Sequence, residues 1–276
     1  MRFRLAFAAL VVAAAAASIV AVADGHQSSR TKDVVVHTHA GALGYEVYLP
    51  SGYGTSGLRY PVVYFLHGLP AGAGAYMSFG WLEDALDATG RKAILVVPQG
   101  ARAGDTDPEY LGQWEQAIAG DIPRAIDRRF RTIASRHGRA IVGVSAGGYG
   151  AMHLALAHLS TFAAVESWSG YFHPTDPTGY RARDLGSTAK NAHANVHNQF
   201  RALRGALRAQ PLYVAFYVGR SDPMFVAENE QLNQELSAAG VAHVFRLYPG
   251  GHTQRLWSSQ ATPWLTLVLN HLTPAR

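Results

Sequence analysis

The chain has 276 residues, 48% of them hydrophobic and 16% charged, which supplies apolar surface for one large core and excludes a disordered chain. It contains no cysteine, so disulfides and a cysteine-linked lipid anchor are excluded. The formal charge of +5 is a mild basic excess. No nucleic-acid partner is expected from it.

Arg2 and Arg4 precede an apolar run over residues 5–23, and Ala21-Val22-Ala23 before Asp24 has the form of a cleavage site. Residues 1–23 are expected to be a secretory signal peptide, which implies a secreted or cell-envelope protein without a membrane span after cleavage. The same run is long enough to cross a bilayer if it were kept. Removing Arg2 and Arg4 would leave a charge of +3. Residues 24–32 read as a polar leader, and residues 33–276 as one catalytic domain.

Residues 33–39 and 45–49, with Gly41 and Gly44 between them, predict an opening antiparallel hairpin. Apolar runs of strand length follow at 60–66, 93–97, 140–144, 162–168, 212–218 and 243–247. Between them lie helical patterns at about 81–89, 114–130, 148–159, 226–239 and 253–272, the last interrupted by Pro263. Continuous apolar strands alternating with helices predict an α/β fold with a mostly parallel sheet. Arg124, Arg128, Arg129 and Arg131 are the densest basic cluster, but Ile122, Ile126 and Phe130 form an apolar stripe beside them, so a solvated helix face is expected. Residues 171–210, with Pro174, Pro177 and Gly179 before a possible helix at 195–208, could cap a site or be a surface excursion.

Gly143-Val144-Ser145-Ala146-Gly147 is a G-x-S-x-G between a strand-like run and a helix-compatible stretch, which predicts a nucleophile elbow. A serine hydroxyl needs a histidine to accept its proton, and the histidine needs a carboxylate to fix its tautomer. In α/β-hydrolases these follow in the order serine, acid, histidine. Asp222, in Gly219-Arg220-Ser221-Asp222-Pro223, and His252, in Gly250-Gly251-His252-Thr253, both follow predicted strand ends. Asp222 has a second reading as a helix cap. Glu228 is an alternative acid, placed inside a predicted helix. Backbone amides of Ala146 and of Leu69, in Leu66-His67-Gly68-Leu69, are the candidate oxyanion donors. His67 reads as structural. His37 with His39, and His193 with His197, have spacings that could serve a metal, but neither pair has an evident set of carboxylate partners. No metal or organic cofactor is expected.

With these motifs in place, the chain resembles the esterase D-like branch of the α/β-hydrolases, which includes S-formylglutathione hydrolases, feruloyl and acetylxylan esterases and the antigen 85 mycolyltransferases. The resemblance runs from about residue 45 to 272. It rests on Pro61-Val62-Val63-Tyr64-Phe65-Leu66-His67-Gly68, on Gly143-Val144-Ser145-Ala146-Gly147-Gly148-Tyr149-Gly150-Ala151, on Gly219-Arg220-Ser221-Asp222, and on Gly250-Gly251-His252-Thr253. It implies Ser145 as nucleophile, His252 as general base and acid, Asp222 as orienter, and the amides of Leu69 and Ala146 as oxyanion donors. It also implies that Glu115, after Trp114, supports the active-site loops.

The mycolyltransferases carry an aspartate where this chain has His67, an arginine where it has Pro70, and a glutamate as triad acid where it has Asp222. These departures point to a secreted serine carboxylesterase acting on small-molecule or polysaccharide-linked esters. The alternatives are a cell-envelope acyltransferase of the mycolyltransferase type and a catalytically silent surface or carbohydrate-binding relative.

Overall fold

The computed structural model describes residues 30–69, 72–77, 79–102, 105, 109–176 and 181–276. The expected signal peptide, most of the leader, Pro70, Pro177 and Gly179 lie outside the described residues. Among the described residues, no helix is long and apolar enough to cross a membrane.

The opening hairpin forms from β1 (Thr31–Thr38) and β2 (Gly41–Tyr48), paired antiparallel, so strand structure starts two residues before the expected position. The remaining strands are β3 (Val62–Leu66), β4 (Ile94–Pro98), β5 (Arg139–Val144), β6 (Ala164–Trp168), β7 (Tyr213–Gly219) and β8 (Val244–Tyr248). They form one eight-stranded sheet in the order β1-β2-β4-β3-β5-β6-β7-β8, parallel from β4 to β8. The order reverses at β3, whose neighbours are β4 on one side and β5 on the other. A crevice therefore opens beyond the carboxyl ends of β3 and β5, where an open α/β sheet places its ligand site.

Strand alternation sorts the apolar runs between two layers. Val62, Tyr64, Leu66, Ile141, Val165, Val214 and Phe216 face α3 (Ile122–Arg129), α4 (Ala146–Ala157), α6 (Val196–Ala209) and α7 (Val226–Ala238). Val63, Phe65, Val142, Trp168 and Tyr217 face α1 (Gly80–Ala88) and α8 (Gln254–Asn270). Both faces are covered, which is why these strands read as unbroken apolar runs.

Three segments differ from the sequence pattern. The predicted helix at 114–130 is α2 (Gln113–Gln116), a π-helical turn (Ala117–Asp121) and α3 in succession. Pro123 has no amide to offer the carbonyl of Ala119, a local cause for the wider turn. Within 171–210, a further short helix, α5 (Thr188–Ala194), precedes α6, and Asn195 breaks them with extended backbone while its side chain caps α6 through Asn198 N. Because α6 is the crossover between β6 and β7, the expected cap reduces to the segment before it.

Pro263 does not interrupt α8, which runs through it. The proline sits on the exposed face, as does Ser259, whose carbonyl it leaves without a helical donor. Ala261, Trp264, Leu265 and Val268 are buried on the opposite face and hold the helix down. Replacing Pro263 with alanine restores the missing helical bond at a solvated position. Urea denaturation of Pro263→Ala should show a gain of at least about 1 kcal/mol.

Candidate active site

Ser145 stands between β5 and α4 with φ 57° and ψ −122°, a conformation a serine adopts only under constraint from its surroundings. Its amide donates to the Trp168 carbonyl at 2.9 Å, extending the β5–β6 pairing, while its own carbonyl accepts Gly148 N at 2.8 Å and starts α4. The flanking glycines are steric requirements. A Cβ on Gly143 would lie 2.0 Å from Gly147 O, and one on Gly147 would lie 2.0 Å from Leu66 O. The loop after β3 also presses on the elbow, since a Cβ on Gly68 would come 2.9 Å from Ser145 Cβ.

His252 lies in the loop after β8, with Nε2 2.9 Å from Ser145 Oγ and Nδ1 2.9 Å from Asp222 Oδ2. A carboxylate at Nδ1 keeps the proton there and turns the Nε2 lone pair toward the hydroxyl. Asp222 is fully buried, and its other oxygen accepts Met224 N at 3.0 Å and Phe225 N at 3.2 Å at the start of α7. Asp222 therefore faces the imidazole and also ties down the turn that leads into α7, whose N-cap position is Phe225. The imidazole is held between two aromatic edges, Phe225 at 5.2 Å and Trp257 at 5.0 Å between centroids. Trp257 is fixed in turn by donating Nε1–H to Ser169 Oγ at 3.0 Å. Sequence reasoning missed Phe225, Trp257 and Ser169. Ser169, with φ 50° directly after β6, leaves no mark in hydropathy.

Ala146 opens α4, so its amide belongs to the first turn, where no intrahelical acceptor exists. Leu69 follows Gly68 at the end of the β3 loop that abuts Ser145. His67 is a strut. Its Nδ1 donates to Gly68 O at 2.9 Å and its Nε2 accepts Gly100 N at 2.9 Å, while Tyr110 OH donates to its carbonyl at 2.7 Å. Burial lowers its pKa and leaves it neutral.

Two further carboxylates hold the segment after β6. Glu109 accepts Tyr171 OH at 2.7 Å and Thr175 N at 2.8 Å. Glu115 faces His153 and His158 at α4 and His193 in α5. Glu228 lies in α7 away from His252, accepting Phe172 N at 3.1 Å and pairing with His173 Nδ1 at 2.5 Å and His197 Nε2 at 3.5 Å. The expected histidine pairs separate. His39 bonds Asp121 at 2.7 Å from the turn after β1, while His193 and His197 stand on different helices because Asn195 breaks the run.

The family model for putative esterases matches residues 40–265. An esterase of Mycobacterium tuberculosis is 29% identical over 250 residues, covering 77% of this chain and 53% of that protein. The chain spans about half the length of the curated relatives it matches. A solved ferulic acid esterase superposes with a TM-score of 0.72 at 23% identity, over 88% of this chain and 100% of its own. The fluorophosphonate-binding serine hydrolase F of Staphylococcus aureus also gives 0.72, at 19% identity, over 87% and 98%. These structures share the α/β-hydrolase fold with this chain.

The Glu228 cluster makes stability depend on pH. The hydrogen bond to Glu228 raises the His173 pKa, and at His197 bonds to Glu228 and Glu235 outweigh the lowering by burial. Burial alone would raise Glu228, but the two imidazoles bring it down to about 2. The histidine contribution is complete below the ordinary histidine pKa and fades as pH rises through the raised values. The glutamate contribution is present above the ordinary carboxylate range and fades only as pH falls toward 2. Wild type should therefore melt above Glu228→Gln by roughly 2–4 °C more at mildly acidic than at alkaline pH, read by calorimetry at both.

Proposed function

Because the chain belongs to the putative esterase family, we propose that it hydrolyses carboxylic esters through an acyl-serine intermediate on Ser145. The observation that carries this reading is the unbroken line of hydrogen bonds from Asp222 through His252 to the strained Ser145. His252 Nε2 takes the hydroxyl proton as Oγ attacks the ester carbonyl, and Asp222 stabilises the imidazolium that forms. The amides of Leu69 and Ala146 receive the developing oxyanion. His252 then delivers its proton to the leaving alcohol oxygen, and the acyl group stays on Ser145. A water molecule, deprotonated by the same nitrogen, attacks the acyl carbon and frees the acid.

Export through residues 1–23 would bring this chemistry to extracellular esters, small or carried on polysaccharide. The ferulic acid esterase of the same fold supports including aromatic acyl groups in a substrate panel. Water as the acyl acceptor is favoured by Asp222 and His67, which stand where mycolyltransferases carry other residues.

Steady-state hydrolysis of a short-chain p-nitrophenyl ester tests the assignment. Ser145→Ala should lower turnover by about three orders of magnitude or more while leaving the melting temperature near that of wild type. Equal rates in the two proteins would refute it. With acceptor sugars present, free acid should remain the main product.

A further inference from the structure

Away from Ser145, a single carboxylate faces three imidazoles. Glu115 Oε2 lies 3.2 Å from His193 Nε2 and 3.5 Å from His153 Nε2, and its Oε1 lies 3.1 Å from His158 Nε2. The residues come from separate elements: Glu115 from α2, His153 from α4, His158 from the C-terminal cap of α4, and His193 from the last turn of α5. One donor atom each from Glu115, His153 and His193 fall within 4.8 Å of one another. In a tetrahedral zinc site with bonds of about 2.0–2.1 Å, ligand atoms stand roughly 3.3 Å apart. The two edges that meet at Oε2 already have that length. Closing the third edge takes a rotation of the His193 side chain, which is half-exposed.

His153 supplies an independent observation. Its side chain is completely buried, and among the described residues neither ring nitrogen has a hydrogen-bond partner. Nε2 is aimed at Glu115 from a distance too long for a good hydrogen bond. A buried imidazole left in that state is costly unless something else occupies the space. Tyr149 stacks on one face of the ring and His193 meets it edge-on, so the ring is fixed in this direction. A surface cavity of about 420 Å³, lined in part by Trp114, Glu115, Lys190 and His193, provides an entry path.

We propose that Glu115, His153 and His193 bind one divalent cation of the zinc class, with His158 holding the second carboxylate oxygen and water completing the shell. Two imidazoles select a borderline transition metal over calcium or magnesium. The site is structural. It ties α5 to α2 and to α4, the helix that follows Ser145, alongside the bond from Tyr149 OH to Ala194 O at 2.8 Å. The π-helical turn that starts two residues after Glu115 fits a site of this kind, since such turns recur where a helix carries a functional group.

The test uses the full chain, purified without a polyhistidine tag, stripped with a chelator and titrated with Zn²⁺ by calorimetry near neutral pH. Wild type should bind one equivalent with micromolar or tighter affinity and melt at a higher temperature once loaded. His193→Gln changes a half-exposed side chain and should fold normally while weakening zinc by about tenfold or more. His153→Gln should do the same, and Co²⁺ in wild type should give the visible absorption of a four-coordinate ion. Absence of a zinc equivalent on folded wild type, or affinity unchanged in both variants, would overturn the site.

Discussion

The backbone of Ser145, at φ 57° and ψ −122°, is the constraint on which the site depends. A serine does not adopt this conformation by preference, and the fold imposes it from both sides. The β5–β6 pairing holds the Ser145 amide, the first turn of α4 holds its carbonyl, and Gly143 and Gly147 stand where an added Cβ would lie 2.0 Å from a carbonyl oxygen. The hydroxyl is thereby lifted to the carboxyl end of the sheet at the point where strand order reverses. All other functional groups are placed relative to that corner.

His252 reaches it from 107 residues along the chain and meets Asp222, 30 residues away in sequence, on its other side. Two adjacent parallel strands, β7 and β8, end beside each other, and their following loops are joined by the bonds from Arg220 N to Tyr248 O and Ser221 N to Gly250 O. Asp222 is buried without cost from an unpaired oxygen, because one oxygen meets the imidazole and the other meets the amides of Met224 and Phe225 just before α7. The carboxylate that faces His252 also holds the turn that leads into α7.

Much of this was legible in the sequence because it depends on short-range signals. Apolar runs marked β3 to β8, and glycine spacing marked the elbow through steric needs that the structure shows directly at Gly143 and Gly147. What escaped depends on long-range partners. α5 is polar and exposed except at Ala194, so no apolar stripe announced it, and Ser187 as its cap was the one available cue. Pro263 was read as a break because periodicity cannot reveal that it and Ser259, whose carbonyl it orphans, lie on the exposed face. The Glu115 cluster draws its histidines from two other helices, and pairing by sequence spacing led to His197, which the fold sends to Glu228 and Glu235.

The central claim is that the acyl group passes through Ser145, and intact-mass analysis of the protein quenched during turnover of a slowly released ester tests it most directly. One acyl mass should be added per chain, and peptide mapping should place it on Ser145. Rapid hydrolysis with the adduct on another residue, or with no adduct trapped even when release is slowed by Asp222→Asn, would contradict it.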